Sequence, residues 1–170
     1  SEKIMPIIEQ ILQETHLALS DISLFVCDKG PGSFTGIRIG VGTVLAFQDT
    51  LNIPCIGISS LEALAYNIKQ DGLICSLIDA RNNQVYAGIF DEYYNKKEEY
   101  LADDINEIVK VLEKYETITF VGNGAILHKE LLANFFKKVE FVENNKQSAE
   151  NVGKIGYKKY LENNLCSADT

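Results

Sequence analysis

The chain has 170 residues, of which 46% are hydrophobic and 24% charged, and its formal net charge is −8. These proportions are typical of a globular protein and exclude a chain that is disordered throughout. Only two arginines occur, Arg38 and Arg81, and neither belongs to a basic cluster of the kind that replaces counterions on a nucleic acid. We therefore expect no direct binding of RNA, DNA or an anionic membrane.

Cysteine usage and the length of the apolar stretches predict a cytoplasmic protein without a membrane span. Cys27, Cys55, Cys75 and Cys166 are far apart and follow no C-x-x-C spacing. We expect reduced thiols, since three of them lie in apolar runs where cysteine behaves as a small hydrophobe. No segment has the roughly 18 apolar residues that a membrane span needs. The start has neither a signal-peptide pattern nor an initiator Met, which is typical of the interior of a longer chain.

Alternating helical and strand patterns predict an α/β protein built from layers. A hairpin is expected at Arg81-Asn-Asn83, because asparagine tolerates positive φ. In chain order the predicted elements are a helix over 2–16, a strand over 22–27, a helix over 34–48, a strand over 55–58, a helix over 61–68, strands over 73–80 and 84–90, a helix over 103–115, a strand over 118–121, a helix over 126–137, a strand over 139–142 and a helix over 148–161. We expect one lobe from 1–70 together with 148–170, and a second lobe from 71–147.

A glycine-rich turn, Lys29-Gly-Pro-Gly-Ser-Phe-Thr-Gly36, lies between a predicted strand and the second helix. A strand, a glycine turn and a helix N-terminus together form a cradle of the type that binds phosphate. The spacing matches neither the Walker loop nor the dinucleotide fingerprint. Two interpretations stay open, namely a structural turn capped by Ser33, and an anion or nucleotide contact made by Gly30, Gly32 and Ser33.

The second helix is apolar on every side except for Arg38, and it contains three glycines. Each interior glycine costs about 1 kcal/mol relative to alanine, so close packing must offset that cost. A helix that is apolar all round must also be covered all round. The helix is either buried wholly within the chain or part of an intermolecular bundle with the first helix. The bundle would use Ile4, Ile8, Ile11 and Leu12 of the first helix and Gly36, Ile39, Gly40, Thr43 and Phe47 of the second.

No residue pattern indicates a catalytic or metal site. His16 and His128 have no second ligand at metal-binding spacing, so we expect a solvated or capping role for both. Asp79 at the hairpin either binds Mg²⁺ or closes the turn by pairing with Arg81 or the backbone. A second glycine turn, Gly122-Asn-Gly124, is either a nucleotide contact or a plain strand-to-helix turn.

Three blocks of sequence resemble the bacterial TsaB (YeaZ) family. They are Lys29-Gly-Pro-Gly-Ser-Phe-Thr-Gly-Ile-Arg-Ile-Gly40, Pro54-Cys-Ile-Gly-Ile-Ser-Ser-Leu-Glu-Ala-Leu64 and Ile78-Asp-Ala-Arg-Asn-Asn-Gln-Val-Tyr86, in this order. The resemblance implies the actin-like ATPase fold of sugar kinases, Hsp70 and actin, with RNase H-like lobes. It also implies that the leading strands of the first lobe and a C-terminal tail are absent from this chain.

The resemblance implies a non-catalytic scaffold subunit that binds and activates the transferase TsaD. With TsaE, that complex installs N6-threonylcarbamoyl on adenosine 37 of tRNA, which this subunit would meet only indirectly, and a homodimer through the same helices is expected. No cofactor is implied for the chain itself, and ATP or ADP would bind in the complex. The catalytic paralogue has a His-Met-Glu-Gly-His segment that supplies two metal ligands. The resemblance aligns this segment with Ser60–Leu64, which lacks both histidines. The alternatives are an ATP-hydrolysing enzyme of the same fold and a peptidase.

Overall fold

The computed structural model describes residues 3–69, 71–143 and 145–162, which form seven strands in two sheets and seven α-helices. The strands are β1 (Phe25–Asp28), β2 (Cys55–Ile58), β3 (Leu73–Arg81), β4 (Gln84–Phe90), β5 (Leu101–Asp104), β6 (Thr117–Val121) and β7 (Lys138–Phe141). The helices are α1 (Ile4–Thr15), α2 (Phe34–Leu51), α3 (Ser60–Ala65), α4 (Ile105–Leu112), α5 (Asn123–Leu127), α6 (Lys129–Phe135) and α7 (Ala149–Leu161). Strands and helices are mixed along the chain, as the sequence predicts.

The two sheets differ in size and pairing. β1 and β2 form a parallel pair, with Cys27 opposite Gly57. The larger sheet has the order β5-β4-β3-β6-β7, in which β4 runs antiparallel to β3 and β5 while β6 runs parallel to β3 and β7. Within the described ranges β1 pairs with β2 alone, so its other edge has no strand beside it.

The main core lies against the larger sheet. Its central strands are buried on both faces, and Leu77, Ile89 and Phe120 are each at most 1% exposed. The amphipathic α4 covers part of this sheet with its apolar stripe, which the sequence predicts correctly. The residues of that stripe are Ile105, Ile108, Val109 and Leu112.

The short helix α3 joins the cores of the two sheets. Leu61 and Leu64 pack with Ile74 and Phe90 of the larger sheet. Ala63, on the opposite side of the same helix, belongs to the cluster formed by β2 and α7. Because α3 contributes to both clusters, it fixes the position of the smaller sheet against the larger one.

The Ser33 cap and the Arg81-Asn-Asn83 hairpin turn, both predicted from the sequence, are confirmed by the structure. Ser33 caps α2 by accepting from the Gly36 N–H at 3.3 Å, and Ser148 caps α7 by accepting from Asn151 N–H at 3.4 Å. The hairpin turn has positive φ at Arg81, Asn82 and Asn83. Pro6 is compatible with α1 because the helix begins at Ile4. Proline then lies in the first turn, where a backbone N–H would have no acceptor within the helix.

Three predicted elements need correction. The strand expected over 22–27 begins only at Phe25. The helix expected over 103–115 is shorter, Ile105–Leu112, and Asp104 is its N-cap. Leu101–Asp104 is a strand, β5, that was not predicted. The helix expected over 126–137 begins earlier, at Asn123, and is interrupted at His128, whose backbone (φ −104°, ψ 19°) is not helical.

No disulfide joins the described cysteines, of which Cys75 is buried and Cys27 and Cys55 are half-buried. Burial raises the pKa of the Cys75 thiol far above its ordinary value, which keeps it neutral. Cys166 lies outside the described residues. No helix in the described ranges is long and apolar enough to cross a membrane.

Candidate functional site

Helices α1 and α2 contain no buried residue, although both are rich in large apolar side chains. On α1, Met5, Ile7 and Ile11 are 51%, 51% and 52% exposed. One side of α2 is anchored to the smaller sheet, where the Phe47 ring stacks on Phe25 with centroids 5.0 Å apart. The two helices therefore present an apolar surface that the described part of the chain leaves open.

A groove of about 580 Å³ follows α2, and Met5 and Leu19 complete its lining. The α2 residues that line it recur in pairs four positions apart, which places them on one face of the helix. They are Arg38, Ile39, Gly42, Thr43, Ala46, Phe47, Thr50 and Leu51. These ten residues define the α1–α2 groove.

A second hollow of about 410 Å³ adjoins the α1–α2 groove and shares Met5, Leu19 and Phe47 with it. The α1 residues Pro6, Ile8, Glu9 and Leu12 supply the rest of its lining. Because the two depressions share three lining residues, they form one continuous apolar surface. A continuous apolar patch with a polar rim is typical of a protein-binding surface.

The structure brings five of the nine predicted interface residues to this surface. Ile39, Thr43 and Phe47 line the groove, and Ile8 and Leu12 line the adjoining hollow. Ile4 and Ile11 lie on α1 but line neither depression, and Gly36 and Gly40 line a different cleft. Whether the nine residues contact a partner stays a prediction.

Sequence reasoning missed nine of the fourteen residues that line the two depressions, among them Met5, Arg38, Gly42 and Leu19. Met5 belongs to the apolar arc of the first helix, so its periodicity could have identified it. Arg38 and Gly42 lie on the same face of α2 as Ile39 and Thr43, so that spacing could have found them too. Leu19 lies in the turn after α1, in a 3-10 segment, where no helical periodicity points to a face.

Two of the three glycines of α2 have open space around them. A Cβ built on Gly40 or Gly42 would meet no heavy atom within 4 Å outside its own helix backbone and chain neighbours. The close packing that was expected to offset the cost of these glycines is therefore not supplied by the described residues. Wholly internal burial of α2, the first of the two predicted arrangements, is not seen in the described ranges.

The predicted phosphate cradle is a small cleft of about 260 Å³ at the start of α2. Gly32, Ser33, Gly36 and Gly40 form one wall of this cleft. Its other lining residues are Cys27, Asp28, Ile37, Ser60 and Gln147. The cleft thus contains a carboxylate, which repels a phosphate group unless a cation screens it.

Hydrogen bonds fix the glycine turn in place. Asp28 Oδ1 accepts from the Gly30 N–H at 2.8 Å and from Ser60 Oγ at 2.6 Å, and the Ser60 N–H donates to the Gly30 carbonyl at 2.9 Å. Gly30 has a φ of +94°, and a Cβ there would lie 2.7 Å from Ile37 Cδ1. A structural role accounts for Gly30 without any ligand.

The thiol in this cleft, Cys27, is not an activated nucleophile. Burial, together with the neighbouring Cys55 and Asp28, raises the pKa of the Cys27 thiol, so the reactive thiolate is disfavoured at neutral pH. Among the described residues no group of three or more His, Cys, Asp or Glu side chains could hold a metal ion.

The second glycine turn is buried against the larger sheet. A Cβ on Gly122, whose φ is +107°, would lie 2.1 Å from the Leu77 carbonyl oxygen. Gly124 also lies against the β3 backbone, with Leu77 C at 3.0 Å and Asp79 N at 3.1 Å from a built Cβ. Neither glycine lines the cleft at the start of α2. The plain strand-to-helix turn is the interpretation that the packing explains.

The remaining candidates have structural roles. Asp79 Oδ1 accepts from the Arg81 N–H at 2.8 Å, which is turn chemistry. His16 is the exposed C-cap of α1, with a left-handed backbone, as expected. His128 joins α5 to α6, and its Nε2 is buried with no hydrogen-bond partner in the described part of the chain, so it is not simply solvated.

Comparison with known proteins places the chain in a family. The model of the family described as TsaD, tRNA N6-adenosine threonylcarbamoyltransferase, matches residues 1–168. The chain belongs to the TsaD family. Its similarity to proteins named TsaB, which the sequence blocks predict, is confirmed by curated relatives.

Two of these relatives are called tRNA threonylcarbamoyladenosine biosynthesis protein TsaB. The Bacillus subtilis protein is 36% identical over 84% of this chain, and the Haemophilus influenzae protein is 26% identical over 99% of it. The aligned regions cover 64% and 65% of those proteins, so this chain spans just under two thirds of their length.

Solved structures confirm the fold. YeaZ from Pseudomonas aeruginosa matches 98% of this chain with a TM-score of 0.83 at 23% identity, over 80% of its own chain. A second Pseudomonas aeruginosa structure, described as similar to peptidase YeaZ, matches with a TM-score of 0.85 at 21% identity and covers 100% of this chain and 81% of its own. The chain thus has the actin-like ATPase fold that the resemblance implies.

Ser60 and Leu64, which the resemblance aligns with the metal-binding histidines of the catalytic paralogue, both have structural roles here. Ser60 is 1% exposed and donates its hydroxyl to Asp28. Leu64 is 2% exposed, belongs to the core cluster of the larger sheet, and would be 3.3 Å from a Cβ on Gly122. A hydroxyl that is already hydrogen-bonded and a buried isobutyl group cannot replace an i, i+4 imidazole pair.

Proposed function

We propose that this chain is part of a non-catalytic subunit of the TsaB type that binds and activates TsaD in the formation of N6-threonylcarbamoyladenosine at position 37 of tRNA. In this role the chain holds the transferase and contributes no reacting group. TsaE joins the larger complex, any ATP or ADP binds in that complex, and tRNA contacts the assembly through the other subunits.

The open apolar surface of α1 and α2 is the observation that carries the proposal. Gly42 has open space where a side chain would be, and Met5 is half exposed beside it. Leaving large apolar side chains in water costs about 25 cal/mol per Å², so a surface of this kind is stabilised when a partner covers it. A helix pair of the transferase is the occupant we propose.

The residues behind this surface support a role in binding a partner rather than in catalysis. The Ser60 hydroxyl donates a hydrogen bond to Asp28, and Leu64 packs in the core. Burial raises the pKa of the Cys27 thiol. Gly122 and Gly124 do not line the cleft beside the first glycine turn, so this cleft gives no support to ATP hydrolysis between the two turns. Binding is the activity that the exposed surface favours.

Affinity for TsaD of the same organism tests the proposal. Met5→Asp places a charge on the α1–α2 groove, and Gly42→Leu fills the middle of it, so we expect each to weaken binding at least tenfold by calorimetry. Burying an unpaired carboxylate and obstructing a close helix contact are both costly at an interface.

Matched controls exist elsewhere in the chain. Leu127→Asp alters an apolar residue of α5 that is 62% exposed, and Gly153→Leu alters a glycine of α7 whose Cβ position is also open. We expect both controls to bind TsaD with unchanged affinity. Unaltered affinity in Met5→Asp and Gly42→Leu, with normal folding, would refute the proposal.

A further inference from the structure

Arg38 occupies an unusual position for a cation in this protein. The chain is acidic, with a net charge of −8, yet one of its two arginines lines the α1–α2 groove. The guanidinium carbon lies 3.9 Å from the centroid of the Phe34 ring, which is also exposed. Within the described residues the guanidinium of Arg38 has this cation–π contact and no ion pair with a carboxylate.

Covering the groove would change the surroundings of this guanidinium. Its five N–H donors are now available to water, and a partner lying on the groove would remove part of that water. An unpaired charge at a covered interface is costly, whereas a carboxylate can accept two parallel hydrogen bonds from the planar fork of arginine. The partner surface therefore needs an acceptor opposite Arg38.

The shape of the groove fits a helix. Its α2 lining extends from Arg38 to Leu51, which is about 20 Å along the helix axis. The small residues Gly42, Thr43 and Ala46 lie in the middle of this length, where they allow another helix to approach closely. Arg38 lies at one end of the lining, so its charge distinguishes one direction of the partner helix from the other.

We propose that Arg38 selects and orients a mostly apolar partner helix that carries one aspartate or glutamate, whose carboxylate pairs with the guanidinium. This inference rests on the proposed function, because the helix belongs to the transferase partner. The apolar length of the groove supplies affinity. The single ion pair at its end supplies register and direction.

Charge variants of Arg38 test the inference with the purified protein and TsaD. Arg38→Gln is expected to weaken the affinity about tenfold, and Arg38→Glu by a further tenfold or more, because it adds repulsion to the loss of the pair. The matched control is Arg81→Glu at the β3–β4 hairpin, the other arginine of the chain, which is expected to change affinity less than twofold. The loss of affinity on raising the salt concentration should be smaller in Arg38→Gln than in the unaltered protein.

Charge exchange identifies the paired residue. Each acidic residue of the TsaD helices is replaced with arginine in turn, and each TsaD variant is tested for binding to the Arg38→Glu protein. We expect one of these TsaD variants to restore the affinity. Equal weakening by Arg38→Gln and Arg38→Glu, with an unchanged salt dependence, would show a packing role and overturn the inference.

Other outcomes separate this inference from the proposed function. If Arg38→Glu binds TsaD within twofold of the unaltered protein while Met5→Asp does not, the ion pair is refuted and the proposed function stands. If neither variant weakens binding, the proposed function fails as well. A third outcome is that Arg38→Glu weakens self-association but leaves TsaD binding unchanged, and that the double variant Arg38→Glu/Glu9→Arg associates with itself again. The groove would then be covered by a second copy of this chain, and the inference would be wrong.

Discussion

Glycines in this chain serve opposite purposes at different positions. Gly122 and Gly124 are required because the β3 backbone lies where their side chains would be. Gly42 has no neighbour at all within 4 Å of its Cβ position, so its small size serves no contact in the described part of the chain. The sequence shows glycine in both places, and only the surroundings distinguish a structural requirement from an open site.

Gly122→Ala should strongly destabilise the protein. Positive φ and a Cβ that would lie 2.1 Å from the Leu77 carbonyl oxygen together predict a loss of more than about 2 kcal/mol in the free energy of unfolding. Urea denaturation measures the loss. The control is Gly72→Ala, which has a similar φ of +110° and no contact within 4 Å, and should lose only about 1 kcal/mol. Equal losses would contradict the steric explanation.

Gly42→Ala should stabilise the isolated protein. Alanine favours a helix by about 1 kcal/mol over glycine, and the added methyl group meets no neighbour. The same measurement on Gly153→Ala, at an open position of α7, should give a similar gain. Destabilisation by Gly42→Ala in dilute solution, where no association occurs, would show that part of this chain packs on the groove.

At the scale of elements, α7 is held against α3 by polar contacts as well as by its apolar face. Lys159 Nζ lies 2.7 Å from Glu62 Oε2, and both side chains are at least half-buried, at 33% and 13% exposure. Asn151 donates to Asn67 Oδ1 at 2.8 Å and to the Ala63 carbonyl at 3.3 Å. These contacts connect the last described helix to the element that joins the two sheets.

Lys159→Ala should lower the free energy of unfolding by about 1 kcal/mol, because a partly buried ion pair is screened less than an exposed one. Lys154→Ala removes the exposed pair with Glu150 on the same helix and should cost less than about 0.5 kcal/mol. Thermal denaturation of both variants makes the comparison. A Lys154→Ala variant that loses as much stability as Lys159→Ala would contradict this ranking.

Elements with a strong periodic pattern were predictable, and those set by distant contacts were not. The apolar stripe of α4 and the Asn-rich hairpin turn were both identified from local sequence. Strand β5, Leu-Ala-Asp-Asp, has no strand pattern of its own and is a strand because it pairs with β4, where Asp103 lies opposite Val85. Helix α5, which packs against β3, ends at His128, and no local pattern within 126–137 marks that interruption.

On the scale of the whole molecule, the site was predictable in kind but only partly in detail. An all-apolar helix with three glycines indicated either burial within the chain or an intermolecular surface, and the described residues leave the helix partly uncovered. Periodicity placed Gly40 and Thr43 on one face of α2. In the structure, however, Gly40 lines the cleft at the start of α2 and Thr43 lines the α1–α2 groove. Leu19 joins the groove through a turn, which no helical pattern describes.

The central claim is that TsaD covers the surface formed by α1 and α2, and hydrogen exchange of the purified protein with and without TsaD tests it most directly. We predict that TsaD slows amide exchange in residues 4–15 and 34–51, because covering the helices suppresses their local opening. Helices α5 and α6 should exchange at the same rate in both states. Unchanged exchange in α1 and α2, with new protection in other elements, would contradict the claim.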